Sequence, residues 1–88
     1  MAKITDITVN RYSDIYITVE TDIDKGYSVL DDLLLVDILG YESLTACLNI
    51  EHIRAIAAWL KSYYYSRQSI ETISTMLFKA LIRLHSSR

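Results

Sequence analysis

Apolar and polar residues alternate early in the chain. In residues 14–20, Ile15, Ile17 and Val19 fall on one side while Tyr16, Thr18 and Glu20 fall on the other. That period of two, built from β-branched and aromatic residues, predicts a half-buried strand. Residues 4–12 supply its hairpin partner, with Ile7 and Val9 inward. The reversal is expected near residues 11–14, where the Ser13 and Asp14 side chains can bond to the local backbone. An acidic stretch over residues 21–27 then leads out of the sheet, with Gly26 free to take a positive φ.

The period changes after residue 28. Ser28 with Asp31 three positions later is a variant of the capping box, and Gly40 is placed to stop a helix. Together they predict a short helix over residues 29–39; the apolar run from Leu33 to Val36 leaves a buried strand as the alternative. Residues 43–48 read as a short strand that ends at Asn49, a strong N-cap type, with Glu51 in the first helical turn. Ile53, Ile56, Ala57, Leu60 and Tyr64 recur at helical spacing and predict an amphipathic helix to about residue 65. Ser69 caps a final helix whose stripe is Ile70, Ile73, Leu77, Leu81 and Leu84, with residues 66–69 as the corner. The expected fold is α+β, a small antiparallel sheet of about three strands packed on two or three helices, in the order β-β-α-β-α-α.

Eighty-eight residues, 51% hydrophobic and 23% charged, make one domain that can fold (residues 1–88). No apolar run approaches the roughly 18 residues a membrane span needs. The first residues do not read as a secretory signal, and the single cysteine, Cys47, cannot form an internal disulfide. Both features lead us to expect a cytoplasmic protein. The net charge of −2 conceals an asymmetry. Residues 1–51 set three basic side chains against ten acidic ones, a net of −7; residues 52–88 set six against one, a net of +5. An acidic sheet-bearing half is thus followed by a basic helical hairpin, a division that matters more for association than for folding.

Catalytic chemistry finds little purchase. A nucleophile, a base and a group orienting that base are needed together. The two histidines, His52 and His85, lie in a helix's first turn and close to residue 88. Cys47 reads as a small buried hydrophobe and His52 as an exposed first-turn residue. Glu20, Asp22, Asp24 and Asp31 partly match a calcium loop, but its sixth position, which must turn sharply, holds Lys25, with Gly26 seventh. One cysteine and two histidines are too few for a closed zinc site, and two glycines are too few for a phosphate cradle. We expect no cofactor, no metal and no enzyme.

Surfaces remain. Trp59 and Tyr63, four apart, flank the main stripe of the first long helix, and Phe78 with Ile82 do the same on the last. They either pack into the core or form an interface, where aromatic residues are enriched. Asp22, Asp24, Asp31 and Asp32 are the acidic contacts expected for a larger protein with a basic surface. Small phage or mobile-element inhibitors of nucleic-acid machinery, anti-CRISPR proteins among them, share this size and charge, an analogy of class alone. One alternative is nucleic-acid binding through Arg54, Lys61, Arg67, Lys79 and Arg83. Another is self-association through Trp59, Tyr63, Phe78 and Ile82. The leading expectation is a non-catalytic interaction protein.

Overall fold

The computed structural model describes residues 2–12, 14–21, 27–33 and 49–86. Three strands, β1 (Ala2–Val9), β2 (Ile15–Thr21) and β3 (Tyr27–Leu33), form an antiparallel sheet with β2 in the centre. Two helices follow, α1 (Ile50–Tyr63) and α2 (Ile70–Ser86). The α+β class of the sequence reading stands; the order of elements does not. Residues expected to open a helix at Val29 belong to β3 instead, and the strand expected over residues 43–48 lies outside the described residues.

A bulge explains the misread segment. Leu30 and Leu33 are three positions apart, a helical spacing, yet they pair with Ile17 and Ile15, which are two apart. The extra residue sits at Asp31–Asp32, which together oppose Tyr16 in the ladder. A capping signal such as Ser28–Asp31 is worth only about 1 kcal/mol. An unpaired edge on a buried central strand strands several backbone groups, each costing about 1–3 kcal/mol. Strand pairing prevails.

The same device operates on the other side of β2. The β1 register shifts between Ile4 and Asp6, and this brings Ile4 and Ile7, also three apart, onto the core face, where both are buried. Val9 packs partly against them. The hairpin itself is closed by Asn10, which the sequence reading did not single out. Its Oδ1 accepts from the Tyr12 N–H (2.8 Å) and the Asp14 N–H (3.0 Å), and its own N–H donates to the Asp14 carbonyl (3.0 Å). This is an Asx turn; Ser13 lies outside the described residues.

The helices begin where their caps predict. Asn49 Oδ1 accepts from the N–H groups of Glu51 (2.9 Å) and His52 (3.1 Å). Ser69 Oγ accepts from the Thr72 N–H (3.1 Å). Each satisfies helix N–H groups that no earlier turn can reach. The buried faces are Ile53, Ile56, Ala57 and Leu60 on α1 and Ile73, Leu77, Ala80, Leu81 and Leu84 on α2. They close over Ile4, Ile7, Ile15, Ile17 and Val19 of the sheet.

Between the helices, α1 ends in a Schellman motif: the Ser66 N–H returns to the Lys61 carbonyl (2.9 Å) and the Tyr65 N–H to that of Ser62 (3.3 Å). The chain then runs alongside β1. Ala2 bridges Ser66 in parallel, and Gln68 applies its side-chain amide to the backbone of Ile4. Its Oε1 accepts from the Ile4 N–H (2.6 Å), and its Nε2 donates to the Ile4 carbonyl (2.7 Å). Further along, Asp6 Oδ1 accepts from the Ile7 N–H (2.9 Å). The outer edge of β1 is thereby partly occupied, which discourages pairing with another strand.

Candidate functional site

The charged candidates divide by what their neighbours leave available. Arg54 on α1 forms an ion pair and hydrogen bond with Glu71 in the first turn of α2. That bond, followed by a backbone hydrogen bond at Glu71 and the charge of Arg54, holds the Glu71 carboxyl below the usual carboxylate range. Lys61 is turned inward: its Nζ donates to the carbonyls of Ser66 (3.1 Å) and Gln68. Two of the five basic side chains proposed to meet nucleic acid therefore hold the helices together. Lys79 and Arg83 are exposed on α2; Arg67, exposed in the corner, has an interaction of its own.

Because Glu71 binds protons more weakly folded than unfolded, its pair stabilises the fold fully above about pH 4.5, near the unfolded carboxyl's pKa, and loses that effect as pH falls through the lowered folded value. Replacing Glu71 with Gln is expected to lower the melting temperature at neutral pH. The gap to the native chain should close on acidification; a gap that persists at pH 2 would assign the effect to something other than this charge.

The acidic candidates are less sharply placed. Asp31 and Asp32 stand at the β3 bulge, not in a helix's first turn, and Asp22 and Asp24 lie outside the described residues. On the β1–β2 ladder Lys3 is the direct register partner of Glu20. Among the helices Arg54 is balanced by Glu71, and in the sheet Lys3 stands opposite Glu20 in the backbone register.

Apolar candidates are the better defined. Trp59 is 39% exposed, Tyr63 59%, Phe78 40% and Ile82 40%, although the core beneath them is closed. The Trp59 and Tyr63 rings stack, with centroids 5.1 Å apart and planes inclined by 24°. Tyr63 also meets Tyr64 edge-on at 4.7 Å. Tyr64 is half-buried against the core, and burial, helped by Tyr63, pushes its phenol pKa up. The sequence reading left open whether these rings were core or surface; much of each ring remains in contact with solvent. Tyr65 lies just beyond the end of α1. That residue is 77% exposed and adopts φ 51°, the one positive φ at a non-glycine among the described residues.

Titratable and metal-binding groups stay dispersed. Among the described residues no three of His, Cys, Asp and Glu come together as a cation site. His52, expected to be exposed, is half-buried, with a buried Nε2 that meets no hydrogen-bond partner; Ser74 Oγ on α2 is buried in the same condition. His85 is exposed in the last turn of α2. Cys47 lies outside the described residues. No helix among the described residues is long and apolar enough to cross a membrane. No family model, curated protein or solved structure matches the chain.

Proposed function

We propose that this chain is a non-catalytic interaction protein that holds another macromolecule against its helices. The observation behind the reading is the exposure of Trp59, Tyr63, Phe78 and Ile82 outside a core already closed without them. A small domain gains most from burying its large side chains, and aromatic residues left outside are enriched where partners dock. A photo-crosslinking residue at position 63 or 78, introduced in the cells that make the protein, should yield discrete adducts. The same residue at position 12, on the exposed hairpin turn, should not. Adducts at position 12 alone would overturn the helix reading.

The charge of residues 1–51 supports a second contact, in which Asp22, Asp24, Asp31 and Asp32 face the basic surface of a larger partner. Such a contact weakens steeply with salt, whereas apolar docking does not. Capture that survives high salt therefore speaks for the helices, and capture lost by moderate salt speaks for the carboxylates. Nucleic acid fits the helices less well, because Arg54 and Lys61 are already engaged.

A further inference from the structure

The exposed side of α2 carries two parallel stripes. Phe78 and Ile82, four apart, form an apolar one; Lys79 and Arg83, also four apart, run beside it. Thr75 and Ser86, at either end, turn their hydroxyls onto the helix itself, to the Glu71 carbonyl (3.0 Å) and the Ile82 carbonyl (3.0 Å). Between them α2 therefore offers apolar surface with positive charge along one flank.

Those cations are unopposed. Glu71 is the only acid in residues 52–88, and Arg54 holds it. Neither Lys79 nor Arg83 forms an ion pair among the described residues. Like charges four apart on a helix repel each other. The helix dipole accounts for Arg83, which lies in the last turn, but its influence fades before Lys79. A repulsion that no described carboxylate offsets, beside large apolar side chains left in water, points to an occupant that carries carboxylates.

We propose that this face of α2 (Phe78, Lys79, Ile82 and Arg83) docks an acidic amphipathic helix of another protein. One stripe of that helix lays apolar side chains on Phe78 and Ile82, and the adjacent stripe brings carboxylates to Lys79 and Arg83. The proposal rests on the helix-face reading above and names the chemistry of its partner. A helix suits because neighbouring stripes share one surface, whereas a strand that turns carboxylates toward α2 turns its alternate residues away. Nucleic acid would engage the two cations through phosphates, which offer nothing to Phe78 and Ile82. An anionic membrane demands more apolar surface. Even a whole myristoyl chain binds bilayers only marginally, and these two side chains expose far less. A second copy seated face to face would set Lys79 and Arg83 against themselves.

The probe is a synthetic helix of about 18 residues, five turns, with leucine on one stripe and glutamate on the next. Titrated into the isotope-labelled chain, it should move the amide resonances of residues 75–86 and leave those of β2 in place. So small a face should give a dissociation constant of about 0.1–1 mM. Glutamine in place of the peptide's glutamates should weaken binding at least about tenfold. Lys79→Glu combined with Arg83→Glu changes only exposed positions, so the core stays intact. That variant should reverse the preference, toward the same helix with lysine in place of glutamate. The proposal is overturned if the native chain ignores the acidic helix, binds the glutamine version equally, or keeps its preference for glutamate in the double variant. Tighter binding to phosphatidylserine vesicles or to single-stranded DNA would overturn it too, as would α2 shifts that grow with the chain's own concentration alone. Crosslinks from position 63 beside an unresponsive α2 would remove this proposal and leave the helix-face reading standing.

Discussion

Replacing Leu77 with alanine is expected to destabilise the domain by about 3–4 kcal/mol, while the same change at its neighbour Phe78 costs no more than about 1.5 kcal/mol. Leu77 is fully buried among residues of both layers, so truncation removes its transfer energy and leaves a cavity that close-packed neighbours fill only in part. Phe78 is larger, and if it were core its loss would be the costlier of the two. At 40% exposure it leaves much of its ring in water in the folded state as in the unfolded one. Urea unfolding of the two variants measures the contrast. Equal losses would mean that Phe78 is buried in solution.

The second large effect is expected at Gln68, whose replacement by alanine should cost about 2–3 kcal/mol although the side chain is polar and lies in a connection. Its amide answers both the N–H and the carbonyl of Ile4, and its Oε1 also accepts from Ser66 Oγ (2.8 Å). Truncation leaves the Ile4 groups on the strand edge without those partners, beside a side chain that is itself fully buried. Hydrogen exchange at the Ile4 amide gives the site-specific reading. It should accelerate in Gln68→Ala well beyond the change at amides of the β2 centre. Equal acceleration everywhere would mean that Gln68 supports only global stability.

These two residues mark the boundary of what the sequence discloses. Leu77 was legible because its stripe repeats at helical spacing and burial follows the repeat. The alternation of Ile15, Ile17 and Val19, and the caps at Asn49 and Ser69, were legible for the same reason: cause and consequence lie within a few residues. Gln68 was not, because its partner is 64 positions away and nothing in the local pattern of residues 66–69 announces it. Both bulges obscured the sheet by converting a spacing of two into one of three, so that Leu30 and Leu33 resembled a helical turn and Ile4 was left out of the inward set. Asn10 was overlooked in favour of its neighbours because several turn-forming residues cluster there, and only geometry shows which side chain closes the turn.

The candidate surface was half legible. Trp59, Tyr63, Phe78 and Ile82 stood out as second stripes, but a stripe alone does not say whether another layer covers it. Position along the chain also concealed the commitments of Arg54 and Lys61, which counted equally with Lys79 and Arg83 until the corner brought carbonyls and a carboxylate to them. Tyr65 carried no advance signal, because a left-handed conformation at a tyrosine is set by how the preceding helix ends and not by the residue itself.

Trp59 is the sole tryptophan and so reports directly on whether the α1 face is bare in an isolated chain. Acrylamide quenching of its fluorescence at low micromolar concentration should be efficient and accompanied by the red-shifted emission of a partly hydrated indole. Emission that is blue-shifted and shielded from quencher at that dilution would place Trp59 inside the monomer, and the surface on which the functional reading stands would not exist.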